Sequence, residues 1–585
     1  MAVISRQLGL LKRWWRLLII ILTPLILLPL PLIIKTIQAR CAYIVLILTI
    51  YWVFEVMSYA VTSLLPLAFF PMAGILSSDR VGISYFKDIS TLFVGSMTLA
   101  QAMEHVHLHR RLALFVLSIV GSSVKWSMGG VMVVTAFLSM WINNSAATSI
   151  MIPAAVAIID ELQNHEQEMQ KRSAIHNNGI DQKSIEVAPD DQKIELGTAY
   201  ESYPIESNNQ TIDNEQKSTL TRRVDYQQLK TAFLIAVAYA AAIGGLATLV
   251  GTGPNIFVKG FTHDFYASGA HAFEISFTNF LLFAFPIGFV MLILCWLWLQ
   301  LLYNHRELLP WLKKSKDEIA SQKHLQSVLK EQYKELGSPS WQERIVAILF
   351  VIMVTLWITR DFSTYPGWEI IFVEGYVTDG TVALLIGVLP LILPNKNPFD
   401  KNWEYHPILQ WDQLSKKFPW GVFMLQGAGL AIADGFKESN LSLTVANFLQ
   451  FVVGASHKTI IFIVIVLSAI FTEFTSNLAC ASILFPVLDS IAQTAGIHAA
   501  RLILPSCMAV SLSFMLPIAT PPNAMIFSSG NVRIIQLIKA GIGMKIIGIV
   551  IIFFASLVLL PPIFRIQPLI SVLNDTLLFS NSTSS

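Results

Sequence analysis

The chain has 585 residues, of which 54% are hydrophobic and 13% are charged, and its mean hydropathy is +0.59. A soluble domain carries about 25% charged residues, so this composition excludes an ordinary soluble globular protein. The net charge of +2 indicates no particular partner, and we expect no nucleic-acid binding. The four cysteines are scattered (41, 295, 480 and 507), which argues against a disulfide framework and a cysteine-based metal site.

The apolar residues are grouped in blocks along the whole chain. Three examples are 17–34 (LLIIILTPLILLPLPLII), 280–303 and 345–358. Crossing a bilayer takes roughly 20 apolar residues per helix, and counting such blocks gives about eleven spans, several of them broken by Gly, Pro or Asn. The sequence therefore predicts an all-α polytopic membrane protein, with the lipid bilayer as its surroundings.

The first block follows three basic residues, Lys12, Arg13 and Arg16. It is too long for a signal peptide, and no small-x-small cleavage site follows it, so we predict an uncleaved first span. The basic residues place the N-terminus, residues 1–16, in the cytoplasm. An odd number of spans then places the tail, residues 566–585, outside the cell, where its two sequons begin at the glycosylation candidates Asn574 and Asn581.

Two hydrophilic insertions divide the apolar part of the chain. Residues 161–228 are polar and poor in aromatic residues, which predicts a flexible cytosolic linker. Residues 304–343 carry Lys and Glu at helical spacings, which predicts a cytosolic amphipathic segment. The membrane part is therefore divided into a first repeat, 17–160 completed by 229–303, and a second repeat, 344–565.

An internal repeat relates these two parts. The stretch NNSAATSIMIP (143–153) aligns with TSNLACASILFP (475–486), so that Asn144 matches Asn477. Downstream, TGPN (252–255) matches TPPN (520–523). A weaker, glycine-containing pair precedes these motifs, TLFVGSMTLAQAME (91–104) and GVFMLQGAGLAIAD (421–434), and has the features of re-entrant hairpins.

Matched polar interruptions of apolar segments are typical of secondary transporters with internal repeats. A helix broken inside the bilayer frees backbone groups, which are tolerated where they line a cavity. An Asn and a Ser at each break supply oxygen ligands for Na⁺ and amide donors for a carboxylate. The simpler alternative is that these residues join helices by hydrogen bonds, but two matched motifs, each followed by a Pro-Asn turn, favour a binding site.

Several of these blocks, in this order, resemble the divalent-anion:sodium symporters, the family of sodium-coupled dicarboxylate, citrate and sulfate carriers. They are YWVFEVMSYAVTSLLPLAFFPMAGIL, AFLSMWINNSAATSIMIP, GTGPN, FTEFTSN and LPIATPPNAMIFSSGNVRIIQLIKAGIGMKIIGI. The resemblance covers nearly the whole chain, and GTGPN is closer to the carboxylate branch. It implies two inverted repeats with broken helices and two re-entrant hairpins, an elevator-type mechanism and a plasma-membrane homodimer.

The resemblance also implies which residues bind substrate and the co-transported Na⁺. Those expected at the substrate are Asn144, Ser145, Gly253, Pro254, Ser476, Asn477, Leu478, Thr520 and Pro522. Those expected at sodium are Ser139, Asn143, Asn144, Gly251 and Gly253 in one site and Thr472, Thr475, Asn477 and Ala519 in the other. The motifs of this chain read Asn-Asn-Ser and Ser-Asn-Leu, so the second lacks its final hydroxyl.

We therefore expect a sodium-coupled symporter that imports a di- or tricarboxylate such as succinate or citrate, and not an enzyme. A sulfate or other oxyanion carrier, a sodium-independent dicarboxylate exchanger and an anion channel remain alternatives. A membrane-embedded hydrolase is disfavoured because Glu55 and Glu473 form no nucleophile–base arrangement. Ionisable residues in apolar segments usually have a function, and Glu473, three residues before Ser476, is the stronger candidate, whereas Glu55 fits the scaffold better.

Overall fold

The structure, a computed structural model, describes most of the membrane part of the chain. The described residues are 2–119, 124–177, 226–266, 272–303, 327, 330–361, 367–373, 375–401, 403–448 and 455–566. Their regular secondary structure is helical, and β-structure among them is limited to isolated bridges such as Pro394–Pro407. The predicted all-α class is confirmed.

The first part of the chain forms thirteen of the helices used below. They are α1 Ala2–Leu27, α2 Pro29–Ile34, α3 Ile37–Val53, α4 Tyr59–Thr62, α5 Leu65–Met72, α6 Ser78–Tyr85, α7 Asp88–His105, α8 Leu108–Ile119, α9 Val124–Ser139, α10 Asn144–Asn177, α11 Tyr226–Leu246, α12 Gly253–Tyr266 and α13 Phe277–Tyr303.

The second part continues the series. Its helices are α14 Trp341–Arg360, α15 Asp379–Val388, α16 Trp411–Lys417, α17 Trp420–Glu438, α18 Leu441–Phe448, α19 His457–Phe471, α20 Asn477–Ala495, α21 Ala500–Ala509, α22 Pro521–Ser528, α23 Ile534–Val558 and α24 Leu560–Ile563, with short 3-10 turns at Trp368–Ile371 and Leu389–Leu391.

Six helices among the described residues are long and apolar enough to cross a membrane. They are Trp14–Ile34, Tyr226–Leu246, Phe277–Tyr303, Trp341–Arg360, Asn477–Ala495 and Ile534–Val558. Further apolar helices of 10–17 residues are too short to cross a membrane alone. Helices of this length are expected where a membrane span is broken in two. These helices confirm a polytopic membrane protein, while the number of eleven spans stays a prediction.

The two repeats have the same order of helices. Helices α9 and α10 of the first repeat match α19 and α20 of the second, and the broken pair α11 and α12 matches α21 and α22. The packing is reciprocal, since α10 and α11 contact α22 while α20 and α21 contact α12. The helical hairpins are therefore α9–α10 and α19–α20. The segments 91–104 and 421–434, where hairpins were expected, lie instead within the continuous helices α7 and α17.

Close helix crossings at glycine hold the parts together. Helix α11 is at the centre, and 94% of its 18-residue apolar stretch is buried inside the protein. Helices α7 and α15 cross where Gly95 meets Gly387, and a Cβ atom added to Gly95 would lie 2.2 Å from the backbone carbon of Ala383. Glycine lets the two backbones approach as small residues do in membrane helix pairs.

The N-terminus of α15 carries a buried ionic cluster. Asp379 is fully buried and accepts bonds from Lys259 Nζ at 2.5 Å and from Arg360 Nε at 2.8 Å. Lys259 lies in α12 and Arg360 ends α14, so the carboxylate joins helices of both repeats. A buried carboxylate needs such partners, because an unpaired charge away from water is strongly unfavourable.

Parts of the predicted soluble segments lie outside the described residues. Helix α10 continues to Asn177, and residues 178–225 of the predicted linker are not described. Most of the predicted amphipathic segment 304–343 is also outside the description, although α14 begins at Trp341. The sequons at Asn574 and Asn581 lie outside it as well, so their glycosylation stays a prediction.

Replacing Asp379 by Asn should destabilise the protein because Lys259 would keep a buried charge without its carboxylate partner, while Arg360 would keep only its ion pair with Glu369. We expect a loss of about 3–5 kcal/mol, measured as a lower melting temperature of the detergent-purified protein. Glu438→Gln is the control, because Glu438 pairs with Arg80 on the exposed surface and should contribute about 1 kcal/mol or less. Equal melting temperatures for the two variants would contradict this role of the cluster.

Candidate functional site

The tips of the two helical hairpins carry the matched polar motifs. The first tip, residues 140–143, joins α9 to α10, and the second, residues 472–476, joins α19 to α20. In the first, the Ser145 N–H donates to Asn143 Oδ1 at 2.9 Å; in the second, Ser476 caps α20 by accepting from the Ala479 N–H at 3.2 Å. Side chains of both motifs thus stabilise the start of a helix at the tip.

The two matched asparagines are held by the same kind of contact. Ser139 donates its hydroxyl to Asn144 Oδ1 at 2.6 Å, and Thr472 donates to Asn477 Oδ1 at 2.8 Å, in each case from five residues earlier. Ser513 also donates to Asn477 Oδ1, at 2.9 Å. Among the described residues none accepts from the NH₂ group of either asparagine. Both amides therefore keep donors that can bind a ligand oxygen.

Glycine is required where the first tip meets the break between α11 and α12. A Cβ atom on Gly245 would lie 2.3 Å from Asn144 Oδ1, and one on Gly251 would lie 2.4 Å from the Gly245 carbonyl oxygen. A side chain at either position would displace the asparagine or the loop. Close packing around Asn144 therefore explains the glycines at positions 245 and 251 of the sequence GGLATLVGTG.

A second pair of asparagines ties down both broken loops. In each repeat the Nδ2 group donates to the backbone carbonyls ten and seven residues before it. The bonds are Asn255 to Gly245 at 3.2 Å and Thr248 at 2.7 Å, and Asn523 to Ser513 at 3.1 Å and Leu516 at 3.2 Å. Carbonyls freed by the helix breaks are thereby satisfied inside the protein, as an apolar surrounding requires.

Each repeat also contacts the broken loop of the other. The Tyr239 hydroxyl of α11 donates to the Phe514 carbonyl in the loop between α21 and α22, at 2.9 Å. The sulfur atom of Cys507 in α21 lies 3.5 Å from Asn255 Oδ1 of α12. Tyr239 and Cys507 occupy matched positions, each sixteen residues before its repeat's loop asparagine. The two broken loops consequently form one assembly.

Four helix N-termini belong to this assembly. Helices α10, α12, α20 and α22 begin at Asn144, Gly253, Asn477 and Pro521. Gly253 packs against Leu478, and a Cβ atom added to it would lie 3.2 Å from Leu478 Cδ2. A helix N-terminus carries a partial positive charge, so such a group of them favours an anion, although the prolines that open α22 have no N–H group to donate.

Two predicted site hydroxyls have no hydrogen-bond partner among the described residues. Thr475 Oγ1 and Thr520 Oγ1 are both buried. A buried polar atom left unsatisfied costs about 1–3 kcal/mol. Such oxygens therefore favour a bound ligand, and hydroxyl oxygen is a ligand that Na⁺ accepts.

The other predicted residues lie around these groups. Asn143 is exposed at the first tip, while Ser145 and Ser476 are half-buried. Pro254, Ala519 and Pro522 are buried beside the broken loops. Among the predicted residues, the structure brings Ser139 into contact with Asn144 and Thr472 into contact with Asn477, and it packs Gly253 against Leu478. Asn255, Asn523, Ser513 and Tyr239 were not among the predicted site residues, although the aligned TGPN and TPPN turns contain both asparagines.

Glu473 supports the second loop. Its carboxylate is buried and accepts from the backbone N–H groups of Phe514 at 2.9 Å and of Met515 and Leu516 at 3.1 Å. It also forms an ion pair of 2.7 Å with Lys545 of α23. Glu473 therefore positions the loop beside Asn477 rather than presenting a free carboxylate.

The first repeat achieves the same connection without charge. Met140 occupies the position that matches Glu473, and its carbonyl oxygen accepts from the Thr248 hydroxyl at 2.5 Å. The two loops are therefore fastened differently despite the symmetry of the asparagines. Lys545 lies in the last of the quoted family blocks, but its role was missed because it depends on a contact between segments distant in sequence.

Removing one partner of the Glu473–Lys545 pair should destabilise the protein more than removing both. Glu473→Gln leaves the Lys545 charge buried, with an expected loss of about 3–5 kcal/mol, whereas Glu473→Gln with Lys545→Met removes that charge. Melting temperatures of the purified single and double variants measure this, with Lys539→Met, exposed on the same helix, as the control. A double variant less stable than both single variants would contradict the pairing.

Comparison with known proteins places this assembly in a transporter family. The family model described as the sodium:sulfate symporter transmembrane region matches residues 11–564. The chain is 36% identical over 556 residues to the Na(+)/citrate cotransporter of Mus musculus, covering 92% of this chain and 93% of that protein.

Two further relatives match this chain over a similar length. Identity to solute carrier family 13 member 1 of Mus musculus is 33% over 573 residues, covering 94% of this chain and 96% of that protein. Identity to the Na(+)/dicarboxylate cotransporter 3 of Homo sapiens is 32% over 561 residues, covering 93% and 92%. With a family model and relatives matched over nearly its full length, the chain belongs to the divalent-anion:sodium symporters, which are sodium-coupled carriers and not enzymes.

Proposed function

We propose that this protein is a symporter that imports di- or tricarboxylates, such as succinate and citrate, together with Na⁺ across the plasma membrane. The observation that carries the proposal is the joining of two asparagine-held hairpin tips and two broken loops, with four helix N-termini among them. Oxygen atoms suited to a cation and N–H donors suited to an anion are thereby placed in one assembly.

One sodium ion is assigned to each broken loop. In the first repeat its ligands come from Ser139, Asn143, Asn144 and the backbone of Gly251 and Gly253. In the second they come from Thr472, Thr475, Asn477 and the backbone of Ala519. The buried Thr475 hydroxyl supports the second assignment, because a cation would satisfy an oxygen that has no partner among the described residues.

The carboxylates are assigned to the space between the two motifs. The proposed contacts are Asn144, Ser145, Gly253, Pro254, Ser476, Asn477, Leu478, Thr520 and Pro522. The free amide donors of the asparagines and the helix N-termini would bind the negative oxygens. Ser145 and Leu478 are at matched positions, so one side of the site offers a hydroxyl and the other an apolar side chain.

Sodium and the anion would then support each other's binding. A cation in each loop orders the asparagines and lowers the electrostatic cost of bringing a dianion between them. Such coupling is reciprocal, so the anion must also raise the affinity for sodium. This linkage makes the inward sodium gradient the driving force for uptake.

The relatives' names support carboxylates, although the family model names sulfate. The Na(+)/citrate cotransporter and the Na(+)/dicarboxylate cotransporter 3 are both matched over more than nine-tenths of this chain. A sulfate or other oxyanion carrier is the first alternative, supported by the description of the matched model. A sodium-independent dicarboxylate exchanger is the second.

The arrangement in the cell is part of the proposal. We place the N-terminus in the cytoplasm and the C-terminal tail outside, with Asn574 and Asn581 as glycosylation sites. The basic residues Lys12, Arg13 and Arg16 before the first span support this orientation. A homodimer in which the site moves as an elevator past a fixed scaffold is proposed from the family resemblance.

Uptake of radiolabelled succinate, citrate and sulfate into expressing cells, in sodium and then in choline buffer, should identify the substrate. We expect saturable carboxylate uptake that disappears in choline, because the loops need their cations to hold the anion. Cells carrying the empty vector are the control. Sulfate uptake without carboxylate uptake would show that the protein is a sulfate carrier. Uptake that persists in choline would favour the sodium-independent exchanger.

Asn144→Ala and Asn477→Ala should each abolish uptake without lowering the amount of protein at the cell surface. Each change removes an amide that is proposed to contact both sodium and substrate. Surface biotinylation gives the protein level against which the rates are normalised. Asn397→Ala, in the loop between α15 and α16, is the matched control. Normal uptake by either site variant would show that the motif containing the replaced asparagine does not bind the substrate or sodium.

A further inference from the structure

The last turn of α19 offers a backbone carbonyl to a cation. At the matched place in the first repeat, the Met140 N–H donates to the Ala136 carbonyl at 3.0 Å, which is the regular helical bond. In the second repeat, the Glu473 N–H donates instead to the Ile470 carbonyl, three residues before it, at 3.2 Å. The Ala469 carbonyl can therefore accept another donor at the C-terminal end of α19, where a helix carries a partial negative charge.

The ammonium group of Lys545 occupies this end of α19. Its Nζ donates to the Ala469 carbonyl oxygen at 2.5 Å and lies 2.7 Å from Glu473 Oε1. Lys545 and Glu473 are both buried, with 7% and 4% of their surface exposed. The positive charge is thus held by a carboxylate and by a carbonyl at a helix C-terminus, the kind of ligand that sodium takes in transporters with broken helices.

This charge adjoins the second proposed sodium site. Glu473 directly follows Thr472, whose hydroxyl donates to Asn477 Oδ1 at 2.8 Å. The second carboxylate oxygen of Glu473 accepts from the Leu516 N–H of the broken loop at 3.1 Å. Glu473 therefore connects the ammonium group to the loop, and a cation at this position supports the conformation in which the loop would bind sodium.

We propose that the Lys545 ammonium group takes the place of a third sodium ion, so that the protein couples one sodium ion fewer than it would with a neutral residue at position 545. Glu473 needs a cation beside it, because an unpaired charge in an apolar interior is strongly unfavourable. Lysine supplies that cation permanently, whereas a transported ion is bound and released in every cycle. The inference rests on the proposed function, which assigns one sodium ion to each broken loop.

A purely structural ion pair between α19 and α23 would behave differently from a resident cation. If the pair only joins the two helices, loss of Lys545 lowers the stability of the protein equally in sodium and in choline. If Lys545 stands in for sodium, its loss lets Na⁺ bind beside Glu473, and the stability then depends more strongly on sodium. The two roles are therefore separated by measurements with and without sodium.

The first test compares the uptake of radiolabelled sodium and succinate by proteoliposomes that contain the wild type or Lys545→Asn. Asparagine removes the charge and keeps an oxygen ligand. The ratio of sodium to succinate should rise from about two to three, because the additional ion enters with the substrate. Two sodium ions balance a doubly charged anion, so the wild type should generate no current and the variant an inward one. An unchanged ratio in the variant, or a ratio of three in the wild type, overturns the inference.

The second test needs no transport. The melting temperatures of purified wild type and Lys545→Asn are measured in sodium chloride and in choline chloride, without the anion. The rise caused by sodium should be larger for the variant by about 1–2 °C at roughly ten times the Kd of the added ion. Lys539→Asn, exposed on the same helix, is the matched control and should show the wild-type rise. The double variant Glu473→Gln with Lys545→Asn should lose the extra rise, because the carboxylate that holds the ion is gone.

An equal rise in the wild type and Lys545→Asn overturns the inference. A Lys545→Asn protein that is unfolded in both salts overturns it as well, because sodium would then be unable to replace the ammonium group. The proposed function fails separately, if the wild type gives no sodium-dependent uptake of succinate, citrate or sulfate.

Discussion

Backbone groups freed by breaking a helix inside a bilayer must be satisfied within the protein, and two matched asparagines meet this constraint here. Asn255 and Asn523 bind the loop carbonyls through their Nδ2 groups. Asn144 and Asn477 are fixed through their oxygens by hydroxyls five residues earlier. The breaks can therefore be stable without being closed, and the N–H groups that remain unused are available to a ligand.

The symmetry of these contacts is incomplete, and the differences concern charge. The second loop is fastened by the buried Glu473–Lys545 pair, whereas the first uses a neutral bond from Thr248 to Met140. This pair places fixed charges beside Asn477, whereas Met140, at the matched position of the first repeat, carries none. The two proposed sodium sites should therefore differ in the electrostatic field that a sodium ion meets, even though their asparagines have matched contacts.

Much of this architecture was predictable from the sequence, because apolar blocks, matched motifs and Pro-Asn turns are local patterns. The sequence singled out Asn144 and Asn477, which have matched hydroxyl contacts at the two hairpin tips, and their role in binding stays a prediction. The hairpins themselves were expected too early, at 91–104 and 421–434, because glycines in these segments suggested a break. Those glycines instead permit close helix crossing, as Gly95 does against α15. The contact between Lys545 and Glu473 joins distant segments, so no local pattern could reveal it.

The central claim is that cation and anion are bound by one coupled assembly. Equilibrium binding to the purified protein tests it directly: the Kd for the transported anion is measured at low and high sodium, and the Kd for sodium without and with that anion. The account predicts that each ligand tightens the other by the same factor. Anion binding that does not depend on sodium would contradict it.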